Sequence, residues 1–262
     1  MKKIIDKIYL FLIFIFLYAP IFVLIVFSFN NSKLRGSWAG FTLKWYKNLL
    51  NDPAILSSLW TTIIVAVVAT IISTIVGTFA AIAINELRGV KKDLILDINY
   101  LPVINPDIVT AVALMGFFGL INMQMGYRTM ILSHVVFCIP YVILSILPKL
   151  SQLDKNTLEA ALDLGATPFY AIRYVVIPQI KPAILTGALM AFTLSIDDFA
   201  ISFFNTGQGV SNLSITIYSM ARKGINPSIN AISTLMLVAL LILLVIINKR
   251  SENQNINKEQ EV

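Results

Sequence analysis

Three carboxylates interrupt stretches of the sequence that are otherwise apolar. Asp107 follows a proline in one such stretch, and Asp197 and Asp198 are adjacent in another. An ionisable side chain in hydrocarbon costs ~2.5–3.5 kcal/mol on insertion scales, and such residues are usually functional. No Lys or Arg lies at comparable depth in these stretches. A group of unpaired acids in an apolar pathway therefore indicates a cationic solute.

Phenylalanines flank the acidic pair and strengthen this interpretation. Aromatic faces attract organic ammonium groups through cation–π contacts, while apolar walls suit a methylene chain. A flexible diamine or triamine satisfies both demands. Phe192 and Phe204 lie within six residues of the pair. The candidate residues of a solute pathway are Asp107, Asp197, Asp198, Phe199 and Phe203.

A structural role for the same acids remains open. Asp107 directly follows Pro106 and could stabilise the N-terminus of a half-helix. Adjacent acids repel each other, so a purely structural role is harder to justify for Asp197 and Asp198. Successive residues on a helix point about 100° apart. We therefore expect one acid of the pair to face the pathway, with Asp198 favoured, and the other to pack against a neighbouring span or a partner.

The segment from Asp154 to Pro178 has the pattern of a helical hairpin between two apolar spans. Asp154 can cap a first helix, and Gly165 suits the left-handed residue that ends it. Thr167 can cap a second helix whose first position is Pro168, where a missing N–H costs nothing. Pro178 is expected to stop that second helix.

The first helix of this hairpin is amphipathic. Small and apolar residues recur at helical spacing, at Leu158, Ala161, Leu162 and Gly165. A small, exposed and partly apolar knob suits insertion into a groove on another protein. The alternative is an interfacial helical hairpin that has no protein partner.

The composition is that of a membrane protein. Of the 262 residues, 57% are hydrophobic and 13% are charged, and the mean hydropathy is +0.81. Soluble domains are about a quarter charged. The net charge is +6, but the basic residues lie mostly in segments that connect apolar spans. We therefore expect membrane lipid, and no nucleic acid, as a partner.

The sequence lacks the residues that several kinds of catalytic and metal-binding sites require. Cys138 is the only cysteine and His134 the only histidine, which excludes a disulfide framework, a Cys-rich metal site and a Ser-His-Asp or Cys-His centre within the spans. His134 adjoins an apolar run and is expected to be packed or hydrogen-bonded. No glycine is followed by lysine, as a phosphate-binding P-loop requires. We expect no enzymatic activity, metal or cofactor, so ATP-driven work would need a separate chain.

Six apolar runs predict an all-α integral membrane protein with six transmembrane helices. Pro102 and Pro106 interrupt the third run and Pro140 the fourth, and such breaks are tolerated where protein or a water-filled cavity meets the freed backbone groups. The predicted spans are residues 8–29, 58–84, 94–121, 129–149, 181–205 and 230–248. The second span carries small residues that let helices approach closely: Ser73, Gly77, Ala80, Ala81 and Ala83.

The distribution of positive charge predicts the orientation. With the N-terminus inside, 13 of the 20 Lys and Arg residues lie in cytoplasmic segments. Both termini and the hairpin are then cytoplasmic. The aromatic segment 30–57 and the glycine-containing segment 206–229 are expected to be outer loops, and 85–93 a short basic inner loop. The chain from Lys249 onward is expected to be a polar, mobile tail.

The hairpin resembles the EAA loop of ABC-importer permeases. In that family the loop is the coupling helix that docks into the ATPase subunit. The resemblance implies a type I ABC importer permease fold with cytoplasmic coupling helices between spans 4 and 5. The residues that carry it, and that it implies for ATPase coupling, are Glu159, Ala160, Ala161, Gly165, Ile177 and Pro178.

Motifs along most of the chain resemble the PotC-type permeases of spermidine/putrescine importers. They are GFTLKWY at 40–46, PDIV at 106–109, FTLSIDD at 192–198 and IYSMARKG at 217–224. The resemblance implies polyamine import across a bacterial inner membrane by a heteromer. Its other members would be a second related permease, a dimer of ATP-binding subunits and an extracytoplasmic polyamine-binding protein.

The expected organisation has three parts. Residues 1–57 form an N-terminal transmembrane helix and outer loop, 58–248 a type-1 ABC transmembrane domain, and 249–262 a cytoplasmic tail. Two other functions remain open. One is an ABC permease for another small cationic solute, such as a basic amino acid. The other is a secondary transporter or channel subunit without an ATPase, which would need its own coupling-ion site and often an internal repeat.

Overall fold

The structure, a computed structural model, describes residues 2–32, 37–154, 156–223 and 227–259. These residues form helices and connecting turns, and one isolated antiparallel bridge joins Asn30 to Phe41. In chain order the helices are α1 (Lys2–Ser28), α2 (Lys44–Leu50), α3 (Pro53–Glu86), α4 (Val90–Ile104), α5 (Asp107–Leu120), α6 (Tyr127–Ser151), α7 (Asn156–Asp163), α8 (Pro168–Ala171), a π-helical turn (Ile172–Val176), α9 (Ile177–Asp197), α10 (Ala200–Asn205), α11 (Leu213–Arg222) and α12 (Pro227–Glu259).

The chain divides into two compact units. One combines Met1–Ser57 with Thr216–Val262, and in it α1 and α2 pack against α12. Its aromatic segment is ordered around Asn30, whose backbone carbonyl accepts a 2.7 Å hydrogen bond from Trp45 Nε1. The Asn30 side chain also accepts from Ala39 N–H at 2.9 Å.

The second unit is Ser58–Ile215, and its core is built on α6. α6 packs along α9 because glycine lets the two helices approach closely: a β-carbon at Gly187 would lie 3.3 Å from Val142 Cα. The predicted small-residue face of α3 is confirmed in part. Ser73, Gly77 and Ala81 are buried, whereas Ala83 is exposed and does not belong to that face.

The predicted break in the third span is confirmed. α4 and α5 meet at Asn105–Pro106 with a bend of 107°. The predicted break in the fourth span is wrong, because α6 continues through Pro140, which is buried. A proline deprives a helix of one hydrogen bond, and close packing around α6 offsets that loss.

Four helices among the described residues are long and apolar enough to cross a membrane, or five if the bent α4–α5 pair counts as one span. A shorter apolar helix covers Pro227–Ile242. The all-helical class of the prediction is confirmed, and the count of six spans stays a prediction.

Four expectations for connecting segments need correction. The fifth span ends at Asp197 rather than continuing through residue 205, and α11 occupies much of the expected outer loop at 206–229. Helices α3 and α4 take up most of 85–93, leaving only residues 87–89 as the inner loop. Helix α12 continues to Glu259, so the described part of the expected mobile tail is helical.

Candidate functional site

The two adjacent acids lie at a break between helices, not within a continuous span. Asp197 is the last residue of α9, and the extended backbone of Asp198 (φ −61°, ψ 131°) separates α9 from α10. Asp197 is exposed in the isolated chain, whereas Asp198 is only 8% exposed. As expected, the neighbouring side chains differ in direction, and Asp197 is the more accessible carboxylate in the isolated chain. The assignment of Asp198 to the solute pathway stays a prediction.

Asp198 is held by the backbone of the helix that follows it. Its carboxylate accepts hydrogen bonds from the N–H of Ile201 at 3.1 Å and of Ser202 at 2.8 Å. Both groups belong to the first turn of α10, whose N–H groups have no partner within the helix. The side chain of Asp198 therefore caps α10, a structural role that the sequence left open.

A histidine from α6 completes the surroundings of Asp198. His134 is fully buried, its Nδ1 lies 2.7 Å from Ser195 Oγ, and its Nε2 lies 2.9 Å from Ser202 Oγ. Nε2 is also 3.7 Å from Asp198 Oδ2. The prediction of a packed, hydrogen-bonded histidine is confirmed. Its place beside Asp198 could not be predicted, because the two residues are distant in sequence.

Asp107 shares the neighbourhood of the acidic pair. It is exposed in the first turn of α5, directly after the bend, where a negative charge interacts favourably with the helix dipole. It interacts electrostatically with Asp197, Asp198 and Tyr141. Among the described residues neither Asp107 nor Asp197 forms an ion pair with Lys or Arg. The fold thus brings together acids that are 90 residues apart in sequence.

Aromatic rings cluster at the start of α10, directly after the acidic pair. The ring centroids of Phe199 and Phe203 are 5.2 Å apart, and those of Phe203 and Phe204 are 5.4 Å apart. Phe203 is 43% exposed. Tyr141 is an aromatic neighbour that the sequence did not single out, because only the fold brings α6 close to Asp107.

The hairpin after α6 is the second candidate site, and its turn follows the sequence closely. Helix α7 is followed by Gly165 at φ +86°, the left-handed conformation that glycine adopts without strain. The Thr167 hydroxyl then accepts the N–H of Tyr170, and Pro168 is the first residue of α8. These features confirm the predicted turn. The expected capping by Asp154 stays a prediction because Lys155, next to it, lies outside the described residues.

Pro178 does not stop the second helix, contrary to the prediction. The π-helical turn Ile172–Val176 precedes it, and Ile177 N–H donates to the Ile172 carbonyl five residues earlier. Proline has no N–H to donate to the preceding turn, and the wider π-helical turn accommodates this. Helix α9 therefore continues directly from that turn. Gln179 Nε2 donates to the Val175 carbonyl at 3.0 Å and stabilises the same region.

The hairpin exposes several large apolar side chains. Leu164 at the turn is 89% exposed, and Phe169, Tyr170 and Tyr174 on the second helix are each more than half exposed. The ring centroids of Tyr170 and Tyr174 are 4.4 Å apart, and neither residue belongs to the EAA-like motif. These side chains form an apolar patch at the turn and on the second helix of the hairpin.

The residues of the EAA-like motif are divided between this surface and the core. Glu159, Ala160, Gly165 and Pro178 are exposed, and Ala161 is half-buried. Ile177 packs against the core of the second unit. Glu159 lines a cleft of about 550 Å³ at the base of the hairpin, together with other charged residues: Glu86 at the end of α3, Arg88, Lys92 in α4, and Asp154 after α6.

The bent helix pair, the hairpin between membrane helices and the acidic break define an importer permease. Residues 73–253 match the family model described as "Binding-protein-dependent transport system inner membrane component". The chain belongs to this family of transport permeases, and it is a multi-pass protein of the inner membrane.

Characterised relatives are similar over most of the chain. The chain is 36% identical over 233 residues to the spermidine/putrescine transport system permease protein PotC of Escherichia coli (strain K12), covering 89% of this chain and 88% of the relative. It is 38% identical over 235 residues to the putrescine transport system permease protein PotI of the same strain, covering 86% and 83%.

A solved structure shows the same fold at low identity. It is a bacterial ABC transporter involved in the import of the acidic polysaccharide alginate, with a TM-score of 0.74 and 16% identity over 96% of this chain and 94% of that one. The type I ABC importer permease fold expected from the sequence is therefore confirmed.

Proposed function

We propose that this chain is the permease subunit of an ATP-driven importer that moves polyamines into the cytoplasm. The observation that carries the proposal is the group formed by Asp107 and Asp197, exposed acids that no Lys or Arg neutralises among the described residues. Permeases named for spermidine/putrescine and for putrescine are 36% and 38% identical to it.

The chemistry of the break suits an organic polycation. The carboxylates of Asp107 and Asp197 attract separate ammonium groups, and the rings of Phe199 and Phe203 offer their faces to methylene groups or to a third ammonium. The carboxylate of Asp198 is held below the surface by hydrogen bonds from the backbone of α10, and it adds negative charge from there. An inorganic anion finds no matching charge here.

The hairpin supports coupling to an ATPase. Its exposed Leu164, Phe169 and Tyr170 form an apolar surface that a groove on an ATP-binding subunit would cover. Glu159, Ala160, Ala161 and Gly165 lie in the first helix and the turn, and Ile177 and Pro178 begin α9. A helix that is continuous from Pro168 through the π-helical turn into α9 would transmit movement of the hairpin to the acidic break.

The assembly that we propose has four kinds of member. They are this permease, a second related permease, a dimer of ATP-binding subunits and an extracytoplasmic polyamine-binding protein. Both termini and the hairpin would be cytoplasmic. The transmembrane domain would comprise 58–248, preceded by the helix and outer loop of 1–57 and followed by the tail at 249–262.

Uptake by the whole assembly tests the proposal. The complex is reconstituted in proteoliposomes with ATP inside, the binding protein and radiolabelled spermidine are added outside, and excess putrescine, arginine or lysine is supplied as a competitor. We expect ATP-dependent spermidine uptake that putrescine reduces and the amino acids do not. Uptake of arginine or lysine in place of spermidine would favour another small cation, and uptake without ATP would favour a secondary transporter or a channel.

A further inference from the structure

The ring of His134 joins the two helices on either side of the acidic break. Ser195 lies in the last turn of α9, and Ser202 lies in α10. His134, on α6, contacts both hydroxyls, and all three side chains are buried. Because an imidazole ring is rigid, it fixes how far apart α9 and α10 lie across the break.

The charge of Asp198 gives these hydrogen bonds a direction. An ionised carboxylate 3.7 Å from Nε2 favours the imidazole tautomer that carries its hydrogen there. Nε2 of His134 then donates towards Ser202 Oγ, and Nδ1 accepts the hydroxyl hydrogen of Ser195. The ring is thereby held in one orientation from both sides.

The same network reaches the chain that follows α10. Asn212 Nδ2 donates to Ser202 Oγ at 2.7 Å, and its Oδ1 accepts the N–H of Ile215 at 2.9 Å. The N–H of Leu213 donates to Thr62 Oγ1 of α3 at 2.8 Å. The break is therefore held by α6 on one side and by the start of α11 on the other.

Asp197 lies at the edge of this hydrogen-bond network. Its side chain is exposed, while its backbone carbonyl accepts a hydrogen bond from Ser214 Oγ at 3.4 Å. The direction of its carboxylate therefore depends on where α9 ends, and Ser195, two residues earlier, is bonded to His134.

We propose that His134 is a positioning residue for the carboxylate of Asp197. By bridging Ser195 and Ser202, it keeps Asp198 capping α10 and Asp197 turned outward, where it can meet a cationic solute. The inference rests on the proposed function, since Asp197 is useful in this way only if the permease carries cations.

A double-mutant cycle tests whether His134 acts through Asp197. Spermidine uptake per assembled complex is measured for wild type, His134→Ala, Asp197→Asn and the double variant. We expect each single change to lower uptake roughly tenfold, within the range that misplacement of a binding group costs. The double variant should lose no more than either single variant, since misplacing a carboxylate that is already absent has no further effect.

Milder variants keep the test decisive if His134→Ala does not assemble. Ser195→Ala removes only the bond to α9, and His134→Gln keeps one donor and one acceptor. We expect Ser195→Ala to show the same non-additivity with Asp197→Asn, and His134→Gln to retain more uptake than His134→Ala.

Cys138→Ala is the matched control: Cys138 is equally buried one turn along α6, and its thiol bonds to the Ala191 carbonyl of α9. Its uptake per complex should be unchanged.

Other outcomes would overturn the inference. Losses that multiply in the double variant would mean that His134 acts independently of Asp197. Full uptake in both His134→Ala and Ser195→Ala would mean that the bridge has no role in transport. A wild-type complex that imports no spermidine would overturn the proposed function and this inference with it, whereas multiplicative losses in an active importer would overturn the inference alone.

Discussion

Gly77 of α3 faces Val142 of α6 so closely that a β-carbon at position 77 would lie 2.7 Å from Val142 Cγ1. Gly187 of α9 meets the same valine from another side. Real β-carbon contacts are longer than 3.0 Å, and a branched valine side chain has little freedom to move away. Three membrane helices therefore meet at Val142 because two of them carry glycine there.

Gly77→Ala should weaken the contact between α3 and α6. An added methyl group in a close-packed site forces small backbone shifts, at a cost of about 1–3 kcal/mol. Gly116→Ala is a matched control, because a β-carbon at that position on α5 meets nothing within 4 Å. Thermal unfolding of the detergent-solubilised complex measures the difference. Equal melting temperatures for the two variants would contradict the contact at Val142.

Gly207 and Gly209 offer a second matched pair. Both have positive φ, +71° and +82°, which costs an L-residue about 1–2 kcal/mol. Only at Gly207 would a β-carbon also collide with the backbone, 2.5 Å from the Met125 carbonyl oxygen. We expect Gly207→Ala to lower the yield and melting temperature of the complex much more than Gly209→Ala does. If Gly209→Ala were the more damaging variant, the turn would have to pack differently.

Local chemistry made some of these features predictable. Gly165, Thr167 and Pro168 lie within four residues of one another, and their conformations follow from backbone preferences alone. Pro140 and Pro178 were misjudged, because packing around α6 and a π-helical turn before α9 absorb prolines that would end an isolated helix.

The acidic site shows where reasoning from the sequence ends. The types and adjacency of Asp197 and Asp198 identified the region, but nothing local decides which carboxylate is buried. That depends on His134 and on the start of a new helix at Ala200, and both are consequences of tertiary packing. Tyr141 was missed for the same reason, since only the fold brings it near Asp107.

The hairpin should be required for coupling but not for insertion. Gly165→Pro removes the φ of +86° that turns the chain, and Glu159→Lys reverses a charge on the exposed first helix. We expect both variants to reach the membrane at normal levels, to lose copurification of the ATP-binding subunit and to abolish ATP-driven uptake. Asp163→Lys, an exposed charge reversal one turn further along α7, is the control and should retain most activity. Normal uptake in both hairpin variants would argue against docking at this site.

The orientation can be tested by cysteine labelling in a Cys138→Ala background. Ser37 and Asn122 are exposed positions in segments that we expect outside, whereas Lys91 and Ser151 are exposed positions that we expect in the cytoplasm. Lys155 would be a further inner probe, and it lies outside the described residues. A membrane-impermeant maleimide added to intact cells should label Cys at the first two positions only. Labelling at 151 from outside would reverse the orientation and remove the hairpin from the cytoplasm.

The two acids of the break should respond differently to the same substitution. Asparagine keeps the shape of aspartate and removes its charge. Asp197→Asn leaves the buried network untouched, because the Asp197 side chain is exposed and none of the hydrogen bonds to His134, Ser195 or Ser202 involves it. We therefore expect normal assembly and roughly tenfold slower spermidine uptake, since the solute loses a charge that attracts it.

Asp198→Asn should instead disrupt the buried hydrogen bonds around the break. The N–H groups of Ile201 and Ser202 bond to different oxygens of the Asp198 carboxylate, and in asparagine an amide nitrogen that cannot accept replaces one of those oxygens. A buried N–H without a partner costs about 1–3 kcal/mol, so the amount of assembled complex and its melting temperature should fall. Uptake divided by assembled complex, measured with copurification of the other subunits, separates the two effects. Wild-type uptake per complex in Asp197→Asn, together with a loss confined to Asp198→Asn, would instead make Asp198 the carboxylate that handles the cation.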